Sequence, residues 1–204
     1  MTRGNTQLNE CCVWQITGRT GSPPLADNWR GLLAARLGQR PRRIGILAEL
    51  ALYGALECLD AARETALPQD VVLRVCSLEG PVEAIRQVLE QNREDLPMPF
   101  SFLQSQTSQL LPALVAALKW QGDAGIVMAR DRMQLATLAA QQAYQHGMLL
   151  GWVEESPCRS DWLRLARCDT QPDSFVKAAS FEEMISPETR YWRLAHDGME
   201  IAPG

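Results

Sequence analysis

The 204-residue sequence predicts an α/β fold in which helices and a sheet form layers around one buried central helix. Apolar, β-branched runs such as VVLRVCS (71–77) alternate with longer Ala- and Leu-rich segments that are typical of helices. Segment 43–67 is apolar nearly all round, which indicates a helix buried between layers. Because strands alternate with helices, we expect a mostly parallel or mixed sheet.

The first half of the chain divides at glycine and proline clusters. CCVWQIT (11–17) has the composition of a strand, and WRGLLAARLG (29–38) is long enough for a short helix before the central one. The strand at 71–77 ends near Gly80, and a helix starts there with Pro81 in its first turn, where a missing N–H costs nothing. LPMPFSF, with its two prolines, is expected to be extended.

The second half contains a strand–turn–helix unit. A helix at 105–122 stops at its final glycine, GIVMA (125–129) is the strand, and a second helix covers 132–147. Asp131 fits the N-cap of that helix and Gln134 its third position, so we expect a capping box. The remaining elements are strands at 148–155, 162–168 and 191–195 and a short helix at 180–186. We expect one domain over 1–204, with a core at about 43–168 and a tail at 169–204.

Composition narrows the class of protein. The formal net charge is −4, which argues against a nucleic-acid binder, and no apolar stretch reaches the length of a membrane span. Six cysteines without a CxxC pair indicate reduced thiols in a cytoplasmic protein without a zinc site. One basic cluster is either a solvated loop or a docking patch for a phosphate or an acidic protein: Arg36, Arg40, Arg42 and Arg43.

Common catalytic and cofactor motifs are missing from the sequence. It contains no GxGxxG after a strand, no Walker loop, no HExxH and no GxSxG, so we expect no cofactor and no metal. His146 is interpreted as a cation at a helix C-terminus and His196 as a turn residue. Two adjacent carboxylate pairs are interpreted as solvated surface: Glu154 with Glu155, and Glu182 with Glu183.

The order of these segments resembles a known family. The helix ALYGALECLDAA, the strand VVLRVCS with its Gly80 turn, MPFSF, the helix SQLLPALVAALKWQG and the strand–turn–helix unit are similar to the N-terminal half of a β-ketoacyl synthase. The similarity covers Arg43 to Glu155 and implies a thiolase-like half-fold. It resembles in particular the short ketosynthase-like and chain-length-factor-like proteins of aryl-polyene and type II polyketide gene sets.

The sequence departs from this family at the elbow that should carry the nucleophilic cysteine. Aligning VMARDRMQL with the family's Ala-Cys-Ala places Arg130 at the nucleophile, between Ala129 and Asp131, with Asp131 and Arg132 as alternatives in a shifted register. A protonated guanidinium is not a nucleophile. The family's two active-site histidines come from a C-terminal half that this chain is expected to lack. We therefore expect a degenerate elbow and no catalytic residue. Arg130 is expected to turn outwards, to pair with Asp131, to fill or bridge the emptied pocket, or to contact a carboxylate or phosphate ligand.

Three functions remain open at this point. The first is a catalytically inactive subunit in fatty-acid or polyketide synthesis, which associates with a ketosynthase, an acyl carrier protein or itself as a homodimer. Carrier proteins are acidic, so the arginine cluster is a candidate docking face. The second is an acyl-binding hydrolase or transferase using Cys76 or Ser77, and the third is a free-standing acyl-ligand binder. Candidate interface residues, with ordinary core as the alternative, are Phe100, Phe102, Leu149, Leu150 and Trp152.

Overall fold

A computed structural model describes residues 12–21, 25–96, 98–127, 130–142, 146–169, 172–195 and 198–204. The described residues form eight strands: β1 Val13–Thr20, β2 Val72–Cys76, β3 Ala124–Ile126, β4 Met148–Glu154, β5 Arg159–Cys168, β6 Val176–Lys177, β7 Thr189–Ala195 and β8 Gly198–Pro203. They also form seven α-helices: α1 Trp29–Leu37, α2 Gly45–Ala61, α3 Val82–Arg93, α4 Pro99–Gln104, α5 Leu110–Leu118, α6 Arg132–Gln142 and α7 Phe181–Ile185.

The strands make one mixed sheet in the order β3-β2-β4-β5-β1-β7-β8-β6. Strand β2 runs parallel to β3 and β4, and every other recorded pairing is antiparallel. Helices connect the parallel strands, whereas a four-residue turn joins β4 to β5, and a turn that short permits only antiparallel neighbours. The sheet is therefore mixed, which is one of the two arrangements that the sequence predicted.

The buried central helix is confirmed as α2. It packs on β1, β4 and β5 with one side and against α1 and α5 with the other. Two glycines let it approach the sheet closely: a Cβ on Gly54 would lie 2.2 Å from Oγ of Ser160, and one on Gly18 of β1 would lie 2.4 Å from the carbonyl of Cys58. Oγ of Ser160 donates to the carbonyl of Leu50 at 2.7 Å, which fixes the helix at this distance.

Two buried clusters lie on the two faces of the sheet. The first, around Trp120 and Trp162, fills the space under α1, α2 and α5. The second, around Trp152 and Trp192, lies under α6 and α7. The sheet is thus the middle layer, and the C-terminal strands β7 and β8 extend the same sheet through the pairing of β7 with β1.

The proline segment differs from the sequence prediction. Residues 99–104 form α4, with Pro99 at its first position, instead of continuing in an extended conformation. A proline at the first helical position loses no hydrogen bond and has a suitable φ, so it begins a helix as readily as it ends one. As a result Phe100 and Phe102 lie on a short helix that packs against α3.

Candidate functional site

The elbow is the turn between β3 and the start of α6. The N–H of Gln134 donates to Oδ1 of Asp131 at 2.8 Å, and the side chain of Gln134 accepts from the N–H of Arg130 at 2.6 Å. The predicted pairing of Asp131 with Gln134 is confirmed, although the side chain of Gln134 bonds to the N–H of Arg130, one residue before the N-cap. The side chain of Arg130 is exposed, as in the interpretation in which it turns outwards. Ala129 lies outside the described residues.

Arg132, rather than Arg130, points into the protein from the start of α6. Its Cζ lies 5.1 Å from the ring centroid of Trp152 and 5.5 Å from that of Phe181. Its Nη1 is 3.3 Å from Oδ2 of Asp161, and Arg159 pairs with the same carboxylate. A cation at a helix N-terminus is unfavourable by itself, so this carboxylate and the aromatic faces offset the cost.

The interior around this ion pair is nearly filled. The side chains of Arg132 and Asp161 are 15% and 4% exposed. Burial raises the pKa of Asp161, although the guanidiniums of Arg159 and Arg132 oppose the rise. The cavity beside Trp152, Asp161 and Phe181 measures about 10 Å³, the room that one water needs. This cavity is too small for an acyl chain.

Glu154 ends β4 and is buried, so its interpretation as solvated surface was wrong. Its carboxylate accepts from Oγ of Ser77 at 3.0 Å and from the N–H groups of Leu78 and Glu79. Oγ of Ser77 in turn accepts from the N–H of Gly80 at 2.9 Å. The turn after β2 is therefore folded around a carboxylate supplied by the neighbouring strand.

Glu155 holds two helices together. Its carboxylate accepts from the N–H of Leu47 at 3.0 Å and from the N–H of Glu83 at 2.8 Å, in the first turns of α2 and α3. Burial raises the pKa of Glu155, and these two hydrogen bonds oppose the rise. The position of Glu155 in the sequence contains a signal for this role. A carboxylate at the C-terminal end of a strand that runs parallel to β2 lies near the N-terminus of α3, the helix that follows β2. Glu182, by contrast, is 70% exposed, as the sequence predicted.

The two alternative nucleophiles lie at the end of β2 and in the turn that follows it. Cys76 is fully buried in β2, and Ser77 donates its hydroxyl to Glu154. His146 follows the described part of α6 and places Nδ1 3.1 Å from Oδ2 of Asp70, before the start of β2. His196 lies outside the described residues. Within the described ranges, no group of three or more His, Cys, Asp or Glu side chains could hold a metal.

The arginine cluster separates into two places. Arg40, Arg42 and Arg43 line a groove of about 650 Å³ at the N-terminus of α2. Arg36 does not line it, because its guanidinium forms a two-bond ion pair with Asp60 and lies 3.7 Å from Glu57.

The groove is electropositive. Three arginines line it, helix α2 has no acidic residue in its own first turn, and the carboxylate that Glu155 places there offsets only part of their charge. Arg30 also reaches the groove, but its Nε is paired with Glu49 at 3.1 Å. The guanidinium of Arg43 lies 4.9 Å from the ring centroid of Phe100, which joins the groove to α4.

The interface candidates also separate. Leu149, Leu150 and Trp152 are at most 3% exposed, because they belong to the two buried clusters on the faces of the sheet, so the core alternative applies to these three. Phe100 and Phe102 are 52% and 57% exposed. Of ten large apolar side chains recorded as exposed in the described chain, eight form what we call the α3–α4 surface: Leu78, Ile85, Leu89, Leu96, Met98, Phe100, Phe102 and Leu103.

Comparison with known proteins finds the fold in solved structures only. No protein-family model and no curated protein matches the sequence. The structure titled "The ishigamide ketosynthase/chain length factor" matches with a TM-score of 0.57 and 13% identity, over 79% of this chain and 59% of that one. A structure of the ketosynthase ApeO in complex with its chain length factor ApeC, from Xenorhabdus doucetiae, matches with a TM-score of 0.53 and 16% identity, over 94% of this chain and 97% of that one.

A third structure extends the same likeness. It contains a type II polyketide acyl carrier protein, AntF, in complex with its ketosynthase, AntDE, and matches with a TM-score of 0.55 and 12% identity, over 84% of this chain and 70% of that one. The chain spans 59% of the length of the first of these proteins. None of the described helices is both long and apolar enough to cross a membrane. At these identities the likeness is one of fold: the chain has the thiolase-like fold of ketosynthase and chain length factor proteins, as its sequence pattern predicted.

Proposed function

We propose that this chain is a ketosynthase-like subunit without condensing activity of its own, which works in the cytoplasm by binding a ketosynthase in fatty-acid or polyketide synthesis. The observation that carries the proposal is the state of the elbow, where Arg132 pairs with Asp161 against two aromatic rings. Condensation on this fold needs a thiolate at the helix N-terminus and a tunnel for the acyl chain. The described elbow supplies a cation and a cavity of about 10 Å³ instead.

The edge strand β3 supports association with a second subunit of the same fold. Strand β3 ends the sheet, and the carbonyl of Asp123 and the N–H of Val127 both bond to β2 at 2.9 Å. Bonding alternates along a strand, so the peptide groups of Ala124 and Ile126 face the open edge. An open edge is a template for pairing with another chain.

The α3–α4 surface supports the same proposal. Apolar side chains that are individually exposed are common, but a cluster confined to residues 78–103 is typical of an interaction site. The groove of Arg40, Arg42 and Arg43 adjoins this surface through the contact of Arg43 with Phe100. An acidic acyl carrier protein fits that combination, with carboxylates for the arginines and apolar contacts beside them.

The experiment is light scattering after size-exclusion chromatography of the full chain, alone and mixed with the ketosynthase from the same genome. We expect a complex of defined stoichiometry with the ketosynthase. Ile126→Pro removes an N–H from the open edge without touching the bonds to β2, so it should weaken the complex.

Lys177→Pro is the matched control, because it introduces proline into β6 at the opposite edge of the sheet. Unfolding midpoints of both variants show whether each is folded. A folded Ile126→Pro variant that binds the ketosynthase as well as Lys177→Pro does would remove the role of β3. Condensing activity of the chain alone, without a ketosynthase, would overturn the proposal.

A further inference from the structure

A second cavity lies where β1 and β7 separate. The two strands are paired only at three positions, residues 13–15 of β1 with residues 191–193 of β7. Beyond Gln15 and Tyr191 the ladder stops and a cavity of about 290 Å³ opens between the strands. It is lined by Gln15, Ile16, Thr17, Gly18, Arg19, Ala61, Pro187, Thr189 and Arg190.

Two arginines line this cavity, and neither forms an ion pair with a carboxylate of the described chain. Nη2 of Arg19 donates to the carbonyl of Thr189 at 2.6 Å, while its Nε is buried without a hydrogen-bond partner in the described structure. Arg190 is exposed and forms no recorded ion pair with a described residue. Burial, and then the charge of Arg190, lower the pKa of Arg19. On the neighbouring strand β5, by contrast, Arg164 is neutralised by Glu64 at 2.9 Å.

The backbone around the cavity does not supply the missing negative charge. Helix α2 ends at Ala61, and the C-terminus of a helix carries a partial negative charge. The carbonyl of Cys58 accepts from the N–H of Ala62 at 3.0 Å, and that of Asp60 accepts from the N–H of Arg63 at 2.9 Å. The helix end therefore contributes about half a negative charge, less than the two positive charges of the guanidiniums, and the cavity keeps an excess of positive charge.

We infer that the cavity between β1 and β7 binds a phosphate group through Arg19 and Arg190. Guanidiniums bind phosphate oxygens in pairs of parallel hydrogen bonds, and both arginines that line this cavity lack an ion pair with a described carboxylate. The oxyanion also relieves the repulsion between the two arginines. The volume of about 290 Å³ exceeds that of phosphate alone, so it also accommodates the first atoms of a phosphate monoester. This inference is independent of association with a ketosynthase.

The test is isothermal titration calorimetry of the full chain, without a ketosynthase, using inorganic phosphate and glycerol 3-phosphate as probes at constant ionic strength. We expect saturable binding with a dissociation constant in the millimolar range or below, that is about −4 kcal/mol or stronger. Arg190→Ala should weaken it about tenfold, because a charge-assisted hydrogen-bonded contact is lost. Arg86→Ala is the matched control, since Arg86 is also exposed but lies on α3.

Three outcomes separate the cases. Tighter binding of glycerol 3-phosphate than of inorganic phosphate supports a monoester as the ligand, and equal binding supports the free ion. No saturable binding of either probe, or equal weakening by Arg190→Ala and Arg86→Ala, would overturn the site. Arg19→Lys gives a second check: it keeps the charge but loses the planar guanidinium that binds two phosphate oxygens at once, so it should weaken binding while the unfolding midpoint reports whether the variant is folded.

Discussion

The elbow interior and the arginine groove both contain arginine side chains, but the positive charge is paired with a carboxylate in the first and exposed in the second. At the elbow, Arg132 is 15% exposed and faces Asp161 and two aromatic rings. In the groove, Arg40 and Arg42 have no recorded ion pair with a described residue, and the groove measures about 650 Å³. The charge of Arg132 is therefore paired within the chain, whereas the charges of Arg40 and Arg42 remain available to a binding partner.

This difference indicates where the function of the chain lies. Ketosynthases perform their chemistry inside the elbow, and here that place is packed like a core. The exposed features of the described chain that could bind a partner lie outside it: the edge of β3, the α3–α4 surface and the arginine groove.

Replacing the elbow arginine should have the largest effect on stability. Arg132→Met leaves the buried carboxylate of Asp161 paired with Arg159 alone and removes the cation from the faces of Trp152 and Phe181, at a cost of about 3 kcal/mol in the free energy of unfolding. The double variant Arg132→Met/Asp161→Asn also removes the carboxylate charge that has lost one of its two cations, and should recover part of that loss. Urea unfolding of both variants measures it, and additive losses would mean that the two side chains do not act as a pair.

Glu154→Gln should have the next largest effect. The amide presents only one acceptor oxygen to the three donors that the carboxylate binds, so the variant should lose about 2 kcal/mol of unfolding free energy. Glu182→Gln is the matched control on an exposed side chain, where we expect a change within about 0.5 kcal/mol. Thermal unfolding compares the two, and equal losses would contradict the buried role of Glu154.

Charge reversal in the groove should change binding and leave folding almost unaffected. Arg42→Glu should weaken binding of the acyl carrier protein from the same genome about tenfold, which corresponds to about 1.4 kcal/mol, and the loss should shrink at high salt. Arg130→Glu, an exposed arginine at the elbow, is the matched control and should bind as the unmodified chain does. Equal losses in the two variants would remove the distinction between groove and elbow.

The smallest stability effect is expected on the α3–α4 surface. Phe102→Ser removes a ring that is 57% exposed, so the free energy of unfolding should change by no more than about 0.5 kcal/mol. Phe181→Ser, a ring that is 5% exposed, should cost about 3 kcal/mol. Weaker complex formation by a stable Phe102→Ser variant is the expected sign of an interface residue, and a loss of stability equal to that of Phe181→Ser would assign Phe102 to the core.

The sequence predicted the features that depend on local pattern. The apolar composition around Gly54 identified the central helix, and the spacing of Asp131 and Gln134 identified the cap of α6. Burial of Glu154 was not predictable in the same way, because its hydrogen-bond donors lie in a turn 75 residues or more away along the chain. The choice between interface and core stayed open for Leu149 for a similar reason: only the strand order shows that β4 is an interior strand.

The most direct measurement is amide hydrogen exchange of the full chain, free and in complex with the ketosynthase from the same genome. The account predicts slower exchange in the complex for peptides containing Ala124 and Ile126 and for peptides of α4. It also predicts unchanged exchange around Arg132, whose surroundings are already closed in the free chain. Slower exchange confined to the start of α6, with unchanged exchange at β3 and α4, would contradict the account and indicate that the elbow is the functional site.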